Sequence, residues 1–192
     1  DEELPPGQPG ELVIRHRADA PRKGFFSGYL KNPQATEEAW RSGWFHTGDT
    51  AVRDETGMFF FLDRKKNIIR RAGENIAAAE VEACLTAHDK VRQVAVLAVP
   101  DEVREEEVMA CVVPRRAEDA GEALARELAA WCLERLAYFK APAWCLFVDS
   151  LPTGTSQKVQ KISLFPAGVD PRAQPGVIDL RPLKKAPGKG SS

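Results

Sequence analysis

Apolar and polar positions along this chain alternate in short bursts and settle twice into helical spacing. Residues 11–15 alternate like a strand entering a sheet, and residues 58–62 form an apolar run of strand length after the turn Asp54-Glu55-Thr56-Gly57. Residues 16–36 are turn-rich, with Phe25, Phe26 and Tyr29 between glycines. Ile68 and Ile69 mark a short half-buried strand within residues 65–71. Residues 77–87 read as a helix, because Val81, Cys84, Leu85 and His88 recur at helical spacing. Residues 91–99 are apolar on both faces, Val94, Val96 and Ala98 against Ala95, Leu97 and Val99, as a central strand would be. Residues 108–113 form a second such strand, with a charged hairpin or loop over 100–107 between the two. The clearest helix covers 120–136, where Leu124, Leu128, Trp131, Cys132 and Leu136 make one stripe and Asp119 with Glu122 makes a capping pair. Residues 143–148 are a third strand, and 162–165 begin a short terminal helix. Five prolines and a Lys/Gly/Ser end follow Phe165 and read as a loose tail.

The sum is an α+β fold: a small C-terminal domain with a central mixed sheet of about three strands packed by helices, preceded by a strand-rich piece too short to bury its own core easily. The 192 residues are 43% apolar and 29% charged, an ordinary globular composition. A net charge of −1 gives no global pull toward nucleic acid or acidic membranes, and no run resembles a membrane span or a signal peptide. The chain opens on Asp1 rather than Met, so the sequence reads as a piece of a longer protein. The four cysteines, Cys84, Cys111, Cys132 and Cys145, form no CxxC pair and each lies in an apolar setting. They are expected to be buried thiols in a reducing, cytoplasmic protein, with no metal site.

Three stretches concentrate the chemistry: GWFHTGDTAV at 43–52, FLDRKKNIIRRAGENI at 61–76, and PTGTSQKVQK at 152–161. Asp49 follows Gly48, where a backbone without a side chain can approach a ligand closely, and a carboxylate there can accept two hydrogen bonds from a ribose. A turn aspartate after glycine fits the same spacing. Arg64 offers planar donors for ribose or phosphate oxygens, or pairs with Asp63 on the surface. The run Arg64-Lys65-Lys66 to Arg70-Arg71 is a phosphate patch or a solvated face; without interleaved aromatics, nucleic acid is the weaker reading. Lys158 sits in a loop rich in Thr, Gly and Ser, where an ammonium can neutralise developing oxygen charge, or serve as one loop lysine among several.

Together with GELVIR at 10–15 and GFFSGYLKNPQAT at 24–36, these stretches resemble the C-terminal part of the adenylate-forming enzymes, the acyl-CoA synthetase and luciferase superfamily. The stretch DRKKNIIRRAGENI resembles ATP-dependent acyl-CoA ligases of the carnitine/crotonobetaine type more than peptide-synthetase adenylation domains. The resemblance implies an enzyme that makes an acyl-adenylate from a carboxylic acid and ATP, then a thioester with coenzyme A. It implies that residues 1–62 end the large N-terminal AMP-binding domain, 63–66 form a hinge, 67–165 form a mobile domain and 166–192 a tail. It further implies that Asp49 and Arg64 bind the ribose of ATP or AMP, that Lys66 is the hinge, that Lys158 bridges carboxylate and ATP, and that Arg70, Gly73 and Glu74 line the coenzyme A side. Mg2+ is expected with ATP, with no protein ligand for it here.

Two departures stand out. Gln157 replaces the usual Gly before the lysine, and Ala78 stands where proline would begin the helix. In the resembled family the phosphate loop and acid pocket belong to the N-terminal domain, the partner within the same polypeptide, so this stretch alone is not expected to adenylate. Oligomeric state stays open. A free-standing nucleotide or coenzyme A module without catalysis is the alternative reading.

Overall fold

In a computed structural model describing residues 2–153, 159–166 and 168–184, the chain divides into two compact units, 1–66 and 67–192. The first contains an antiparallel sheet in the order β1 (Pro9–Ile14), β2 (Phe45–Arg53), β3 (Phe59–Arg64). Asp54 builds the β2–β3 turn by accepting from the Thr56 and Met58 amides at 2.9 and 3.0 Å, and Gly57 supplies the positive φ that ends it. One short helix, α1 (Pro33–Ala39), is capped by Asn32, whose side chain accepts from the Ala35 amide. Phe25, Trp40 and Phe45 cluster beside it, with ring centroids 5.0 to 5.8 Å apart. On β3, Phe59, Phe60 and Phe61 stay exposed, so this small unit leaves much apolar surface in solvent.

The second unit holds a six-stranded sheet. Its strands are β4 (Ile68–Arg71), β5 (Glu74–Ala77), β6 (Val91–Asp101), β7 (Glu105–Pro114), β8 (Trp144–Phe147) and β9 (Ile178–Asp179), with helices α2 (Ala78–Thr86) and α3 (Glu122–Arg135). The strand order is β5-β4-β7-β8-β9, with β6 also on β7; β7 and β8 run parallel and the other pairs antiparallel. The expected alternation separates the two faces. Val94, Val96, Val108, Ala110 and Val112 pack under Val81 and Leu85 of α2 and Leu124, Leu128 and Cys132 of α3. Ala95, Val99, Met109, Cys111 and Val113 fill the other face with Leu146 and Leu151.

The mixed α+β fold read from the sequence is the one observed, with corrections of detail. The sheet has six strands rather than about three. The central strand is β7; among the described residues β6 pairs with β7 alone, and its burial on both faces comes from layers above and below. Glu82 accepts from the Val96 amide at 2.7 Å, so this helix carboxylate serves the sheet edge. Of the two readings for 100–107 the hairpin is the one observed, since β6 and β7 stay in register out to Asp101 and Glu105. The N-cap of α3 is Gly121 with no side-chain cap, while Asp119 closes a separate 3-10 turn, so the expected Asp119–Glu122 cap does not form. The stretch expected to be a loose tail contributes β9 to the sheet, and Leu180 is 1% exposed. Its prolines shape short turns around an element too brief to show as a run.

Candidate functional site

The TGD stretch lies on β2 rather than in an isolated turn. Thr47 fixes the local backbone: its hydroxyl donates to the Leu12 carbonyl at 2.7 Å and accepts from the Asp49 amide at 3.1 Å. Gly48 between them has φ +72°, a conformation other residues adopt only under strain. This kink sets Asp49 directly opposite Arg64 in the β2–β3 register. The Arg64 Nε is 3.0 Å from Asp49 Oδ1, an ion pair by distance. That oxygen is nonetheless buried without an aligned hydrogen-bond donor. The geometry is a charge contact in which the paired oxygen is closed off, and the 28% exposure of the Asp49 side chain lies on its other atoms. Arg64 is steadied from two more sides: Nη1 donates to the Thr47 carbonyl at 3.2 Å and its amide to Asp63 Oδ1 at 2.7 Å. A half-buried carboxylate beside an exposed, oriented guanidinium suits vicinal hydroxyls and a neighbouring anion.

The basic run after Arg64 does not form a continuous patch. Lys65 reaches Glu11 at 2.9 Å, and Arg71 is buried against Glu107. Lys66 is exposed in the 3-10 turn Lys65–Asn67, at the boundary between the two units. Arg70 projects an exposed side chain from β4, while its amide donates to Glu106 Oε2 at 2.6 Å. Arg71 pairs with Glu74 across a two-residue turn in which Ala72 and Gly73 have φ of +48° and +84°. Both positive angles are what a tight hairpin of this length requires. Gly73 and Glu74 are exposed at its tip, and a Cβ on Gly73 would meet nothing within 4 Å. In this unit, then, the Gly73 requirement is one of backbone conformation. Lys158 lies outside the described residues; Thr153 and Val159 form an antiparallel bridge.

One cluster escapes sequence reasoning. The Glu107 carboxylate, 1% exposed, takes Arg71 Nε at 2.6 Å and Lys184 Nζ at 2.7 Å, with Arg104 Nε at 3.9 Å. Lys184 also donates to the Phe139 carbonyl at 3.1 Å. Burial pushes the Lys184 ammonium down to about 8, and Glu107 counteracts only part of that. Arg71, Glu107 and Lys184 are far apart in sequence, so no local pattern joins them. The cysteines are free thiols; burial raises Cys111 and Cys145 to about 12, which makes them poor nucleophiles. Among the described residues no group of three or more His, Cys, Asp and Glu is placed to hold a metal ion, and no helix is long and apolar enough to cross a membrane.

Residues 80–158 match the AMP-binding enzyme C-terminal domain. That match takes in less than half of the 192 residues, and the chain is similar to CoA ligases over a longer stretch. A crotonobetaine/carnitine–CoA ligase of Salmonella arizonae is 37% identical over 162 residues, 84% of this chain and 30% of that protein. One from a Proteus species is 40% identical over 163 residues, 84% of this chain and 30% of its own length. Among solved structures, o-succinylbenzoate coenzyme A synthetase from Bacillus subtilis in complex with AMP superposes with a TM-score of 0.68 at 30% identity, over 85% of this chain and 31% of that one. ATP-bound MatB from Rhodopseudomonas palustris gives 0.67 at 33% identity, over 84% and 30%. The chain thus spans about a third of the length of the relatives it matches.

Proposed function

We propose that these residues are the C-terminal part of an ATP-dependent acyl-CoA ligase. In the whole enzyme a carboxylate oxygen attacks the α-phosphorus of ATP and displaces pyrophosphate. The thiol of coenzyme A then attacks the acyl carbon, and AMP leaves as the thioester forms. The observation that carries the reading is the pair Asp49 and Arg64, fixed opposite one another as a half-buried carboxylate beside an exposed guanidinium. Asp49 accepts from the ribose hydroxyls, and Arg64 donates to the ribose and its anionic substituent. Lys66 is the hinge, in keeping with its place at the boundary of two compact units. Exposed Arg70 meets the coenzyme A phosphates, while Gly73 and Glu74 flank the path of its pantetheine arm. Lys158 supplies the positive charge for adenylation. Mg2+ accompanies ATP without a ligand among the residues named here. The partner is the N-terminal adenylation domain of the same polypeptide, and free thiols support a cytoplasmic setting.

The test is a split of half-reactions in the full-length enzyme. Lys158→Ala is expected to lower acyl-adenylate formation ~10²-fold or more, because it removes a charge aimed at the transition state. Thioester formation from preformed acyl-adenylate should be far less affected. Equal loss in both steps, or loss in neither, would remove Lys158 from this role.

A further inference from the structure

Glu11 on β1 is the meeting point of two cationic side chains and an imidazole. Its Oε2 lies 2.9 Å from Lys65 Nζ, 3.0 Å from His46 Nδ1 and 3.2 Å from Arg41 Nη2. Arg41 Nη2 is also 2.8 Å from the same His46 nitrogen, so the imidazole tautomer decides which neighbour it bonds. The Glu11 and His46 side chains are 15% and 6% exposed, and that of Lys65 is 48% exposed. Burial works against the Glu11 charge, yet the donors from His46 and Lys65 outweigh it and hold the carboxyl below its usual range. An isolated surface ion pair contributes little. Here the acceptor is already held by β2 and by the turn before it, so only Lys65 loses freedom when the contact forms.

The position of Lys65 gives this contact its meaning. The strand β3 ends at Arg64, and the chain leaves the first unit after Lys66. A joint between compact bodies turns where the backbone is least held. Arg64 is fixed through Asp49 and Asp63. We propose that Glu11 is a positioning residue for this joint: by clasping Lys65 it carries the rigidity of the three-stranded sheet to the last residue before the hinge. The turn is then confined to bonds beyond Lys65. Arg64 and Asp49 are thereby insulated from the motion next door. The inference rests on the reading of Lys66 as a hinge and adds the residue that sets where the hinge begins.

Backbone 15N relaxation of the 192-residue chain tests it, in the wild type and in Lys65→Met and Lys65→Arg variants. In the wild type, the Arg64 and Lys65 amides should be as ordered as β2, with order parameters of about 0.85, and Lys66 should be looser. Lys65→Met should bring Arg64 and Lys65 down toward about 0.6 while β1 and β2 stay unchanged, and Lys65→Arg should restore them. Glu11→Gln should reproduce the Lys65→Met result. Unchanged order at Arg64 and Lys65 in Lys65→Met overturns the proposal. Loosening throughout β1–β3 also overturns it, by reducing the clasp to a general structural contact. A Lys66 amide as rigid as β3 in the wild type removes the hinge itself, an outcome separate from any result of the half-reaction assay.

Discussion

Gly48 and Gly73 both adopt positive φ, but for different ends. Gly48 lets β2 kink so that Asp49 meets Arg64, whereas Gly73 closes the β4–β5 hairpin. A side chain at Gly73 meets open space, so Gly73→Ala should cost ~1 kcal/mol of stability through the backbone alone, read by urea denaturation. Unchanged stability with lost thioester formation would instead favour a channel role. Lys184 yields a pH signature. Its ammonium titrates near 8 when folded, against 10.5 for an unperturbed lysine. Below pH 8 both states carry the charge and the burial cost is fully present. Between 8 and 10.5 the unfolded chain binds more protons, so stability should rise with pH across that window. Lys184→Met should flatten the rise, and denaturation midpoints at several pH values check it. Sequence and resemblance together singled out Asp49 and Arg64, because small and charged residues cluster visibly there. Arg71 was legible only as one more base in a run; its burial depends on Glu107 and Lys184, which no window around it contains.

The elements read most clearly were those whose two faces are both apolar. The alternation in β6 and β7 assigns each residue to the correct layer, as does the stripe on α3. The centre of the sheet was misassigned because a strand covered above and below has the same composition as one flanked on both sides. The strand β2 was illegible as such: Thr47, Gly48 and Asp49 interrupt its alternation, and its place comes from pairing with β1 and β3. Two residues among prolines, β9 gave no signal, yet it covers the outer side of β8, while Arg181 stacks 4.3 Å from the Trp144 ring centroid. Truncation after Phe165 should therefore bare the β8 edge, lower the denaturation midpoint and promote self-association, measurable by sedimentation. A truncated protein that is equally stable and monomeric would make β9 a passenger.

Across the molecule the two units differ in self-sufficiency. The second encloses apolar layers on both sides of its sheet, while the first leaves Phe59, Phe60 and Phe61 in solvent. Composition foresaw that asymmetry, since the leading stretch has too few residues to wrap a core of its own. Within the second unit, Arg71 stands near the first residues and Lys184 near the last, and both grip the Glu107 carboxylate. One carboxylate thus ties an early strand of this unit to its last described residue. A chain joined from residue 184 back to residue 67 through a flexible linker, and opened in the exposed β6–β7 turn at Val103, should therefore still form the same sheet, which far-UV circular dichroism and a denaturation midpoint would check.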